Sequence, residues 1–402
     1  MTGANRPTAK IVPASANEWR ELYVLLGHHF TPHHPVDDQE LFTGRLDLIS
    51  EVEDAVGLRG RHAIIYGDRG VGKTSFANLL ETFLRLPNER IKCVKRLASA
   101  EHKYASIWHD LLSDFRWEER TAKQLLGDTK NPTEVIELLE ALPRNQRTIF
   151  IIDEFDRIKD KQTKVLLSDT LKNISDNLRH ISIVIVGIAR NINELFENHE
   201  SLPRALKQIY MPRMSREELT HIVEDRIPPL GMTITRSATQ NIVAMSDGFP
   251  GYTHLITLNA ARHAVKRRSV DVVQTDLDQA MTAIVRDADE AIAEAYDQAV
   301  SSSRANMYRQ VLLACALART DEKNRFTPSA VTAPLSKILG RSVTTATFNK
   351  NLDKFCQEGR GPVLMREGTR KRYRFHFCLA LLRPYVIMRG LADGTIEPKH
   401  VR

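Results

Sequence analysis

Along the chain, short apolar runs alternate with segments whose apolar positions recur every three to four residues. HAIIYG at 62–67, IKCVKRL at 91–97, TIFIID at 148–153, ISIVIVG at 181–187 and QIYMP at 208–212 read as five strands. Between them, TSFANLLETFLRL and EVIELLEALP carry helical periodicity. Near-continuous apolar strands separated by helices predict a parallel sheet covered on both faces. From Ser215 the strand pattern stops. SREELTHIVEDRI, SATQNIVAMSDG, YTHLITLNAARHAVKRR and TDLDQAMTAIVRDADEAIAEAYDQA read as helices, with Ser215 as N-cap and Glu218 three residues on. After the boundary SSSR at 301–304 come three helical segments, MYRQVLLACALA, FTPSAVTAPLSKILG and TTATFNKNLDKFCQEG, then two short strands around the turn EGTRK. Three helices followed by a hairpin is the order of a winged helix. The expected organisation is an N-terminal extension at 1–39, an α/β core at 40–213, a helical lid at 214–300, and a winged-helix domain with tail at 301–402.

Composition narrows the class. Hydrophobic residues make up 42% and charged residues 27%, which excludes a mainly disordered chain. No run of eighteen uncharged apolar residues predicts a membrane span. The first residues lack the apolar centre of a signal peptide, and Cys93, Cys315, Cys356 and Cys378 are too scattered for a paired metal spacing. A reduced cytoplasmic protein is the expectation. His28, His29, His33 and His34 lie close together, but Pro32 and Pro35 give the segment a turning path, so it reads as surface rather than metal site. Charge is unevenly spread: the whole chain is +7, while residues 301–402 hold 19 Lys and Arg against 7 Asp and Glu, a net of +12. That basic third implies an anionic partner, with nucleic acid leading.

Gly67, Asp68, Arg69, Gly70, Val71, Gly72, Lys73 and Thr74 match GxxxxGKT between an apolar strand and a helix. Such glycines let backbone N–H groups turn around phosphate, and the helix N-terminus adds positive potential. Lys73 is expected to reach the β- and γ-phosphates, and Thr74, followed by Ser75, to open the helix and ligate Mg2+. Asp153 and Glu154 end the third strand, where side chains reach the ligand crevice of an open sheet. Asp153 suits magnesium through water, and Glu154 suits polarisation of the attacking water. Asp156 reads instead as a cap or ion-pair residue. After the fourth strand, Asn191 or Arg190 can orient water, or Asn191 can cap a helix.

With these motifs in hand, the chain resembles the AAA+ ATPases, nearest to the origin-recognition initiators and related signal-transducing (STAND-like) ATPases. LFTGR at 41–45, the loop at 67–74, IIDEFD at 151–156 and VGIARN at 186–191 carry the resemblance, over about residues 40–290. It implies ATP and Mg2+ as cofactors and Phe42, Gly44 and Arg45 near the base or the domain hinge. It also implies Asn191 as the polar sensor and an arginine acting on a neighbouring copy's γ-phosphate, Arg204 first and Arg213 second. At the start of the lid helix His254 stands at the spacing of the family's arginine, as a weaker or pH-sensitive nucleotide contact or as an ordinary interdomain contact, and Gly248-Phe249-Pro250 resembles the signal-transducing branch, where the proline packs by the base. The last domain resembles the winged helices of the initiators. There Thr344, Thr345, Asn349, Lys350 and Lys354 offer polar or basic atoms, and Arg366, Arg370, Lys371, Arg372 and Arg374 offer phosphate contacts. Phe348, Leu352 and Phe355 are expected to face the core. The functional expectation is an ATP-hydrolysing switch that couples nucleotide state to homo-oligomeric assembly and double-stranded DNA binding. The competing reading is a signal-transducing ATPase whose winged helix recruits a protein.

Overall fold

In a computed structural model of the protein, the described residues are 12–32, 34–35, 44–58, 60–84, 90–189, 196, 206–302, 306–369 and 372–401. The chain divides into two compact units, residues 34–213 and residues 1–33 together with 214–402.

The first helix, α1 (Ala16–His29), belongs to the second unit. Unit 34–213 starts with α2 (Leu46–Gly57), β1 (His62–Gly67), α3 (Lys73–Phe83) and β2 (Arg90–Leu97). It continues through α4 (Tyr104–Leu111), α5 (Ala122–Leu126), α6 (Pro132–Glu140), β3 (Gln146–Asp153), α7 (Lys161–Asn177), β4 (Ile181–Ile188) and β5 (Leu206–Tyr210). All five strands are parallel, in the order β2-β3-β4-β1-β5. Parallel pairing brings every strand's C-terminal end to one edge. β3 and β4 are buried along nearly their whole length, as their uninterrupted apolar sequences require of a sheet covered on both faces. One face packs Ile64, Val94, Phe150 and Ile183 against Trp108 and Leu111, with Trp108 edge-on to Phe150. His62 is fully buried on β1. Its Nδ1 accepts the Ile183 N–H, and burial pushes its pKa down to about 4.

The second unit adds α8 (Arg216–Arg226), β6 (Thr233–Ile234), α9 (Arg236–Ser246), α10 (Pro250–Lys266), β7 (Asp271–Val272), α11 (Gln274–Arg286) and α12 (Glu290–Val300). Ser215 caps α8 as its sequence predicts: its Oγ accepts the Glu218 N–H, and Glu218 accepts the Ser215 N–H. Within residues 214–300 two features depart from the sequence pattern. β6 and β7 form a two-residue parallel pair inside the helical region, too short for a period-2 signal. The last long helical run breaks after Arg286, and Asp289 caps a new helix by accepting the Ala291 N–H. α1 packs onto α10 through Trp19, Leu22 and Leu26, one face at helical spacing, with the Arg262 guanidinium 4.6 Å from the Tyr23 ring centre.

The C-terminal part comprises α13 (Tyr308–Leu317), α14 (Pro328–Leu339), α15 (Thr345–Phe355), β8 (Leu364–Glu367), β9 (Arg374–Phe377) and α16 (Leu382–Ala392). β8 and β9 are antiparallel, and Phe326 bridges Phe375 to add a third short rung. Phe348, Leu352 and Phe355 are buried, as the spacing on α15 predicts. Arg383 at the start of α16 donates to Asp247 Oδ1 at 2.6 Å and ties this part to the helices before it.

Candidate nucleotide site

The loop between β1 and α3 takes its shape from glycine. Gly70 and Gly72 hold φ of 87° and 97°, the left-handed region that side chains resist. Gly67 serves differently: a Cβ there would collide with the Met211 carbonyl oxygen, because the exit of β5 runs against the end of β1. The Met211 N–H donates to Tyr66 O at 2.8 Å and fixes that approach. Lys73 opens α3, and its Nζ turns back to donate to the carbonyls of Gly67 (3.0 Å) and Asp68 (2.7 Å). The ammonium is almost sealed from solvent. Burial lowers its pKa to about 8 against the opposing pull of Asp156, Asp68 and Asp153. Arg69 and Gly70 are exposed at the loop tip, and Val71 is buried beneath it. Thr74 and Ser75 lie in the first turn of α3, where backbone N–H groups have no intrahelical acceptor and favour anions.

Asp153 ends β3 with only 1% of its surface exposed. Its Oδ1 accepts the Glu154 N–H at 2.8 Å. Its Oδ2 is buried without an aligned hydrogen-bond donor among the described residues, and the Lys95 ammonium stands 2.9 Å from it as an ionic contact. Glu154 adopts φ 55°, and its half-exposed carboxylate accepts from Arg157 at 2.6 Å. Asp156 accepts the Ile188 N–H at 2.7 Å and so ties the turn after β3 to the end of β4.

Arg45, also at positive φ, is buried and donates to Pro212 O at 2.7 Å, with Gly44 beside it. Arg213 pairs with Asp68 of the β1–α3 loop at 3.4 Å, so this candidate for action on a neighbour is engaged within its own chain. Phe42, Arg190, Asn191, Arg204, Arg370 and Lys371 lie outside the described residues. Pro250 is the first residue of α10, and His254 is buried one turn on. His254 Nδ1 accepts the Thr31 N–H at 3.1 Å, and its ring meets Phe30 edge-on. Burial and then Arg226 push its pKa down to about 3, so the imidazole is neutral and clamps the segment after α1.

In the basic C-terminal part, Lys350 and Arg372 are exposed. Lys354 donates to the Tyr308 hydroxyl at 2.9 Å. Arg366 pairs with Asp353 at 2.8 Å and stacks over Tyr373, and Arg374 pairs with Asp321 at 3.1 Å. A groove of about 1020 Å³ runs between α15 and the hairpin, lined by Asn349, Arg325, Arg366, Tyr373 and Arg374 among others. Sequence reading missed Lys95 and Asn78. A lysine on an edge strand reads as a solvated charge, and nothing in the pattern connects it to Asp153. Among the described residues, no group of three His, Cys, Asp or Glu is arranged to hold a metal, and no helix is long and apolar enough to cross a membrane.

The parallel sheet, the glycine loop on β1 and the acid at the tip of β3 define the class of AAA+ and STAND ATPases. The family model Novel STAND NTPase 1 (nSTAND1) matches residues 31–356, and the chain belongs to that family. No curated protein matches it. Among solved structures, it is similar to a chain of the Drosophila ORC bound to DNA (16% identity, 96% of each chain covered, TM-score 0.47). It is also similar to Cdc6p from Pyrobaculum aerophilum (14% identity, 92% of this chain and 99% of that one, TM-score 0.48). A point variant of RuvB from Thermotoga maritima matches at 15% identity over 83% of this chain and 93% of that one, TM-score 0.47.

Proposed function

We propose that the protein is a cytoplasmic, magnesium-dependent ATPase switch whose nucleotide state controls homo-oligomeric assembly and contact with double-stranded DNA. The observation that carries this reading is the Lys73 ammonium, buried in the glycine loop and satisfied by the carbonyls of Gly67 and Asp68. A buried cation that borrows loop carbonyls is poised for a stronger anionic partner, and phosphate is the anion this loop suits. Gly67 through Ser75 wrap the phosphates, and Lys73 binds their outer oxygens. Asp153 fits magnesium: Oδ2 is a hard oxygen, buried, with no aligned donor among the described residues. Thr74 and Asp153 would hold the ion, which when bound neutralises charge on the phosphates. Glu154 accepts the proton of the attacking water once Arg157 releases it, and Asn191 orients that water. Arg204 of a neighbouring copy stabilises the transferred charge. Phe42, Gly44 and Arg45 border the base. The test is phosphate release by the wild type and Glu154→Gln. The variant keeps ATP affinity and loses hydrolysis by about a hundredfold or more. Equal turnover in both removes Glu154 from this role.

Three helices and an antiparallel hairpin support a winged helix at the C-terminus, and Lys350, Lys354, Arg366, Arg370, Lys371, Arg372 and Arg374 are the residues assigned to contact DNA in this reading. One observation favours the alternative, recruitment of a protein partner. Arg366 and Arg374 already have carboxylate partners, and Lys354 is turned to Tyr308, so three of the seven proposed DNA-contacting cations are engaged within the domain.

A further inference from the structure

Lys95 lies two residues before the end of β2, facing Ile151 of β3 across the sheet, while Leu97 faces Asp153. Alternation along the strand puts Lys95 and Leu97 on one face, so the long Lys95 side chain can reach forward to the strand tips. Its ammonium stands 2.9 Å from Asp153 Oδ2 and also donates to Asn78 Oδ1. Asn78 is one helical turn beyond Thr74 on α3, and residues four apart share a helix face. Lys95 therefore bridges the helix that carries Thr74 and the strand that carries Asp153. The Asp153 side chain is 2% exposed and that of Lys95 22%. A carboxylate so enclosed requires a counter-charge. Yet the Lys95 contact to Oδ2 is ionic and off the hydrogen-bond axis, a contact that a stronger cation can displace.

We propose that Lys95 is a positioning residue that serves as a built-in counter-ion for Asp153. It neutralises and orients the carboxylate while the site lacks metal, and it competes with magnesium for the same oxygen when nucleotide binds. The proposal rests on the reading of Gly67–Thr74 and Asp153 as a magnesium–nucleotide site. Two cations a few ångströms apart repel, so Lys95 lowers the affinity of the nucleotide-loaded site for its metal.

Manganese, a paramagnetic stand-in for magnesium, makes this measurable without turnover. Mn2+ is titrated into the full-length protein saturated with ADP, and free Mn2+ is followed by electron paramagnetic resonance. Lys95→Met should half-saturate at about tenfold lower Mn2+ than wild type, and Lys95→Arg should stay within about twofold of it. Unchanged Mn2+ affinity in Lys95→Met overturns the proposal. A second arm uses the thermal midpoint of the nucleotide-free protein. Lys95→Met removes the cation in contact with Asp153 Oδ2 and lowers the midpoint, and the double variant Lys95→Met/Asp153→Asn recovers most of the loss. Purely additive losses would show that Lys95 does not compensate Asp153. Absence of ADP binding by the wild type, in EDTA and in Mn2+ alike, would overturn the nucleotide reading itself, an outcome distinct from ADP binding with unaltered metal affinity.

Discussion

At the scale of single residues, the tuned group is Lys73. Its folded pKa, lowered to about 8 by burial, lies below the unfolded value of 10.5. Between those values the unfolded chain binds more protons than the folded one, so stability rises with pH across that window. Below about pH 8 the cost of enclosing the charge is felt in full, on the order of 3 kcal/mol. Nucleotide should reverse this preference, because phosphate favours the protonated ammonium. Urea denaturation of wild type relative to Lys73→Met should therefore show a gain from pH 8 to 10.5. ADP affinity of the wild type should fall by up to about tenfold per unit over the same window. A difference curve flat in pH would mean that Lys73 stays charged throughout.

At the scale of elements, Gly67 does more than its motif suggests. The sequence marks it as the first residue of a phosphate loop, but its lack of a side chain is what lets β1 and the exit of β5 meet at Met211. Gly67→Ala should destabilise the nucleotide-free protein by about 1–3 kcal/mol, read as a lower urea midpoint at unchanged slope. Unaltered stability with weakened ADP binding would confine Gly67 to the ligand. The loop, the acid-tipped strand and the Ser215 cap were legible because each is contiguous and carries its own local signature: strand, glycines, helix, or cap and acid three residues on. The Lys95–Asp153–Asn78 cluster was not, because sheet register and helix packing bring together three segments with no shared pattern. The break before Asp289 was hidden because apolar spacing continues across it, and only the acid at the new helix start signals the cap. Buried His254 looked like a sensor by position; what it touches, the Thr31 backbone, became visible only once α1 had folded back onto α10.

At the scale of the whole molecule, the 19 Lys and Arg of residues 301–402 overstate how many cations are free to meet an anion, because some are paired with the 7 carboxylates of the same stretch. Arg366 is held by Asp353, both partly exposed and open to exchange. Asp353→Asn should release it, raising duplex DNA affinity about two- to tenfold at low salt and steepening the salt dependence by up to about one unit. Fluorescence-polarisation titrations with and without ATP would read this, and absence of salt-sensitive binding in both proteins would favour the protein-partner reading. The discontinuous second unit also bears on birth order. α1 is synthesised early, but the His254 imidazole that receives the Thr31 N–H is 223 residues away along the chain. At roughly 5–20 residues per second, the ribosome adds that stretch over tens of seconds. For that interval Trp19, Leu22, Leu26 and Phe30 are a greasy stripe on the nascent polypeptide without the surface that covers them in the finished fold.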